Sequence, residues 1–180
     1  MFDPKYKHTN KILLDLTAIA EAKGIIDRAK ILPQQEIKLR RQAIIRMTHH
    51  STEIEGNKLN MGQVEALYAK KKVDAPDRDI YEVKNYLNAL KFIEKTVTEK
   101  QPITEKVILK IHKLVANKTL APQFCGHYRP GSIYVVRRRL GMPQETLYTG
   151  PEAKRVPQLI SEFITWLKES EKQEMSPVLV

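Results

Sequence analysis

His49-His50-Ser51-Thr52-Glu53-Ile54-Glu55-Gly56-Asn57 closes a long helical pattern. Ile37, Ile44, Met47 and Ile54 recur before and within it at helix spacing and predict one buried stripe. Ser51 and Glu55 stand one turn apart and share a helix face. Gly56-Asn57 reads as the stop, because glycine accepts the left-handed conformation that a helix end needs. Glu53 and Glu55 then fall at the negative end of the helix dipole, where each acid costs about 0.3–1 kcal/mol unless a cation compensates it. The pattern asks for a cation facing one of the two.

Working outward, Ile12, Leu13, Leu16, Ile19 and Ala20 predict an earlier amphipathic helix ending near Gly24, joined through Leu32-Pro33 to the long one. Downstream, Asn60 and Gln63 form a capping-box pattern before a short helix that carries Val64, Leu67 and Tyr68 and runs into three lysines, Lys70 to Lys72. Ala75-Pro76-Asp77 breaks the pattern. A core helix is predicted from Asp77 to Thr98 on Ile80, Val83, Leu87, Leu90 and Val97. Thr104 caps the next, to about Lys118, whose buried face is Ile111, Leu114 and Val115. His112 on that helix reads as a packing residue rather than a ligand. Ser132–Arg139 and Glu145–Tyr148 are β-rich around a turn at Gly141-Met142-Pro143 and predict a hairpin. Val156, Leu159, Ile160, Phe163 and Leu167 predict a further helix. Ser176-Pro177 can start another, with Val178-Leu179-Val180 opening its apolar face. The expected fold is mainly α: a helical bundle with one β-hairpin, truncated as its next helix begins.

The chain has 180 residues, enough for one domain with a real core, and is 42% hydrophobic and 29% charged, as in ordinary water-soluble proteins. No apolar run approaches a membrane span, and MFDPKYKHTN is too polar for a secretory signal. The single cysteine, Cys125, excludes an internal disulfide framework and suits a reducing cytoplasm. The net charge of +10 favours anionic partners, but the basic residues are spread widely and no helix is a basic stripe. Nucleic acid is therefore not expected as the main partner, nor is a membrane. No P-loop, dinucleotide fingerprint or nucleophile elbow is present. No metal site is expected either: His49 and His50 are adjacent, so their rings should point to different helix faces.

Ser51-x-x-x-Glu55-Gly56 resembles the inhibitory-helix motif, Ser/Thr-x-x-x-Glu-Gly/Asn, of Fic-domain proteins. The order of the remaining segments is similar as well. Residues 10–57 resemble the helical region that includes the inhibitory helix. Gly126-His127-Tyr128-Arg129, the hairpin, Tyr148-x-Gly150-Pro151 and Val156 to Leu167 resemble the front of the Fic core. The family's catalytic motif, His-Pro-Phe-x-Asp/Glu-Gly-Asn-Gly-Arg, is nowhere in the 180 residues.

The resemblance implies an N-terminal helical region over residues 1–57 and the front of a Fic core over 58–180. For the intact protein it implies transfer of AMP from ATP, with Mg2+, to Ser, Thr or Tyr of a protein substrate; some members also remove AMP. Catalytic residues and bound cofactors are expected outside this stretch, which should be inactive alone. Glu55 would pair with the second arginine of the catalytic motif and block the productive pose of the γ-phosphate, with Ser51 and Gly56 framing it. Glu53 should project elsewhere. Residues 131–149 resemble the flap that docks a target by strand addition, and Ile133, Tyr134, Val135 and Val136 are its candidate docking residues. The alternative reading is a non-enzymatic module that binds protein or nucleic acid through the hairpin and basic surface. The oligomeric state stays open, a homo-oligomer included.

Overall fold

The computed structural model describes residues 4–5, 7–139, 141 and 143–172. It is mainly helical, with one two-stranded antiparallel hairpin. Helix α1 spans Asn10–Arg28, capped by Thr9, whose hydroxyl accepts from the Ile12 amide at 3.2 Å. It runs through Gly24 instead of ending there; one mid-helix glycine costs only about 1 kcal/mol against alanine. None of its residues is buried.

Helix α2 spans Pro33–Ile54, with proline at its first position, where no amide is needed. Its buried face is not the predicted stripe. Ile37 and Ile54 are 69% and 83% exposed, and the buried residues are Ile45, Thr48 and Thr52. Two threonines can face the core because their hydroxyls bond back to their own helix, Thr48 to the Ile44 carbonyl at 2.7 Å and Thr52 to the Thr48 carbonyl at 2.9 Å. Each then buries a methyl with its polar atom satisfied.

Helix α3, Met61–Tyr68, starts with the predicted capping box: the Asn60 side chain accepts from the Gln63 amide, and the Gln63 side chain from the Asn60 amide, both at 3.0 Å. It stops at Lys70, which adopts φ 59°. There a lysine accepts the left-handed strain and places its charge at the negative end of the helix. Helix α4 spans Asp77–Thr98, with Asp77 and Asp79 in its first turn, where the dipole favours acids. The core lies where α2, α3 and α4 meet: Ile45, Leu59, Val64, Leu67, Val83 and Leu87, ringed by half-buried Ile44, Met61, Tyr68 and Ile80.

Helix α5, Glu105–Val115, is capped by Thr104 as predicted but stops short of Lys118. Buried Asn85 of α4 causes the early end: its amide donates to the carbonyls of Val115 and Asn117, taking acceptors that a continuing helix would use. Val97 and Val115, assigned to buried faces, are 69% and 41% exposed. After a short turn at Pro122–Phe124, strands β1 (Tyr134–Arg137) and β2 (Glu145–Thr149) pair antiparallel with a bulge between Val135 and Val136. Met142 of the predicted turn and the predicted helix start at Ser176–Val180 lie outside the described residues. Helix α6, Val156–Lys172, packs on α5 and buries Ile164. Among the described residues no helix is long and apolar enough to cross a membrane.

Candidate functional site

The end of α2 is built by its backbone. The Asn57 amide donates to the Thr52 carbonyl at 3.1 Å and the Gly56 amide to the Glu53 carbonyl at 2.9 Å, the paired bonds of a glycine-terminated helix. Gly56 has φ 90°, and a Cβ there would meet nothing within 4 Å, so glycine is required for conformation and not for space. Asn57, 6% exposed, then fastens the turn to α4. Its amide nitrogen donates to the Asp79 carbonyl and to the Glu82 carboxylate, both at 2.9 Å, and its oxygen accepts from the Leu59 amide at 3.0 Å. The other Glu82 oxygen accepts from Arg78 at 3.0 Å.

Ser51, half-buried on the same side of α2, accepts a hydrogen bond from the Tyr86 hydroxyl at 2.9 Å. Ser51 and Glu55 open onto one cleft of about 480 Å³, with Arg78, Glu82, Tyr86 and His112 on its opposite wall. The cleft thus brings together the predicted pair and three α4 side chains that sequence reasoning missed. Arg78 is committed to Glu82, and no ion pair among the described residues involves Glu55. Its carboxylate stands in the cleft at the negative end of α2 without a cation. That arrangement can receive a guanidinium or ammonium group; it holds no nucleophile–base pair.

Glu53 does project away from this cleft, and it meets the two histidines. His50 Nδ1 lies 3.3 Å and His49 Nδ1 3.8 Å from a Glu53 oxygen. The histidine rings do not face apart as predicted: they stack, 5.0 Å between centroids and 28° between planes. His112 is a satisfied residue, its Nδ1 accepting from the Gly126 amide at 3.0 Å. Gly126, at φ 78°, has no room for a side chain, since a Cβ would lie 2.8 Å from that of Lys113.

The hairpin is held at its foot. Arg129 donates to the carbonyls of Gly131 and Pro151, on either side of the two strands. The Gly150 amide donates to the Ile133 carbonyl at 2.9 Å. Tyr128 donates to Glu105 of α5 at 2.9 Å; desolvation first, then the hydrogen bond and charge of Glu105, push its phenol up to about 12. Beyond that foot Ile133, Tyr134 and Val135 are exposed and Val136 is half-buried. Two strands leave each with an unpaired edge, so main-chain donors and acceptors are available beside those side chains.

The chain is 27% identical over 165 residues to proteins called protein adenylyltransferase Fic from Drosophila yakuba and Drosophila melanogaster, a match covering 91% of this chain and 29% of each of those proteins. A crystal structure of a Fic family protein from Desulfovibrio desulfuricans G20 superposes with a TM-score of 0.70 at 30% identity, over 93% of this chain and 48% of that one. No protein-family profile matches. The chain therefore spans less than a third of the curated relatives' length and about half of the solved structure.

Proposed function

Because the chain is a Fic-domain protein, we propose that it serves as the regulatory and target-docking part of a protein adenylyltransferase, which moves AMP from ATP to hydroxyls of a protein substrate. In this reading residues 1–57 end in the restraining helix, and residues 58–180 form the front of the core with its flap. The catalytic motif belongs to a segment outside these 180 residues. The observation that carries the reading is the uncompensated Glu55 carboxylate, held in an open cleft beside Ser51 by the Gly56 turn and the Asn57 clamp. An arginine drawn to it forms a charge-assisted pair and is lost to the γ-phosphate of ATP.

ATP and Mg2+ do not fit the cleft itself. Two carboxylates, Glu55 and Glu82, line it against one guanidinium already paired, a wall that repels a triphosphate. Nucleotide binding is accordingly assigned to the segment that carries the motif, and this chain alone is expected to bind neither ATP nor Mg2+.

The test is auto-modification with labelled ATP in the protein extended through its catalytic motif. Glu55→Gly and the charge-deleting Glu55→Gln should both raise the rate, tenfold for each 1.4 kcal/mol of restraint removed. Glu21→Gln, an exposed acid of α1, is the control. No acceleration in either Glu55 variant would make Glu55 an ordinary surface acid and end the regulatory reading.

A further inference from the structure

We propose that His49, His50 and Glu53 form a binding site for a borderline divalent cation of the Zn2+ or Ni2+ class. The proposal rests on the α2 geometry and is independent of the role given to Glu55. Successive helical residues are about 100° apart around the axis. Glu53 lies one turn beyond the two histidines, about 40° from His49 and about 60° from His50, so its carboxylate falls between them. One ligand atom from each residue already lies within 4.8 Å of the other two, the only such group of three among the described residues.

A tetrahedral ion with bonds of about 2.0–2.2 Å needs its ligands about 3.4 Å apart. The His50–Glu53 pair, at 3.3 Å, meets that spacing, the His49–Glu53 pair, at 3.8 Å, must close by a few tenths of an ångström, and the two histidine nitrogens, within 4.8 Å of each other, must close by as much as about 1.4 Å. His50 and Glu53 are exposed and free to adjust their rotamers.

Two further observations point to a cation. His49 Nδ1 is buried and makes no hydrogen bond, the one buried side-chain nitrogen or oxygen left open among the described residues. The last turn of α2 carries no basic residue, so nothing in it offsets the negative helix end. Two imidazoles and one carboxylate select metals that accept nitrogen ligands over Mg2+ or Ca2+, and the remaining coordination positions are left to water.

Calorimetric titration of the 180-residue chain with zinc chloride and with nickel chloride, each checked by competition with a chelator, tests the site. One ion per chain is expected, with magnesium chloride failing to compete. His50→Ala and Glu53→Gln, each removing a direct ligand, should weaken binding at least about tenfold, the loss that removing an outer-shell partner alone already causes. His127→Ala should leave binding unchanged, and circular dichroism should show all variants folded. X-ray absorption of the loaded chain should report two imidazole nitrogens. Absence of saturable binding, binding unmoved within twofold by both His50→Ala and Glu53→Gln, or loss of binding in His127→Ala would each overturn the proposal.

Discussion

The corner at Gly56–Asn57 and the hairpin at 134–149 are held in opposite ways. Beyond its two backbone bonds, the corner is fastened by side chains: Asn57 makes three side-chain hydrogen bonds from a buried position, and the Glu82 it grips is steadied by Arg78. The hairpin is fixed by its backbone ladder and by one side chain, Arg129, that grips main-chain carbonyls at its foot, while its apolar side chains face outward. Satisfied polar groups around the corner fix the backbone that carries Glu55, as the proposed restraint requires. Open edges and exposed apolar residues on the hairpin suit the sequence-tolerant docking proposed for it.

Breaking the corner should give the largest effect. Asn57→Ala leaves the Leu59 amide and a Glu82 oxygen without their partner, so a loss of about 2–4 kcal/mol in urea unfolding is expected. A loss below about 1 kcal/mol would mean that the backbone bonds of Gly56 alone hold the turn.

The hairpin should answer differently. Val135→Pro removes an amide from an exposed two-stranded sheet and is expected to change global stability by less than about 1 kcal/mol. In the protein extended through its catalytic motif it should lower kcat/KM for a protein acceptor roughly tenfold, whereas Val135→Thr, which keeps the main chain, should not. Equal losses in both variants would move recognition from backbone to side chain.

The smallest test sits at the hairpin's foot. Tyr128 ties the hairpin's foot to α5, and its phenol is raised from the ordinary 10.0 to about 12. Because the folded value is the higher one, its contribution to stability is complete below pH 10 and disappears as the pH climbs through 12. A difference titration at 295 nm between the parent and Tyr128→Phe should show one late-ionising tyrosine. An ordinary midpoint would mean that the Glu105 contact is open in solution.

The same contrast explains what could be read from the residues. Helix starts are legible where a local rule decides them: the caps Thr104 and Asn60 follow from side chains a few residues apart, whereas the Thr9 cap and the start at Pro33, read as part of a connection, do not. The hairpin was legible as a change of period. The buried face of α2 was not, because Thr48 and Thr52 count as polar until their hydroxyls are seen turned back onto the helix. Ser51 and Glu55 were placed on one face correctly, but their neighbours Arg78, Glu82 and Tyr86 come from a helix more than twenty residues away. The roles of Asn57 and Asn85 depend on carbonyls equally distant in the chain, and no spacing announces them. The histidine stack is not legible from spacing, because a step of about 100° between neighbours reads as separation although a residue one turn later can sit between them.

Cys125, the one cysteine of the chain, is buried, with its sulfur 3.3 Å from the Ala116 carbonyl, where the segment leading to the hairpin's foot packs on the end of α5. A sulfhydryl reagent can reach it only when that junction parts. Its labelling rate is therefore a clock, counting openings of one segment while the rest of the chain stays folded. Any partner that clasps the hairpin should slow that clock, so target capture can be timed on an unmodified chain without knowing the target's identity.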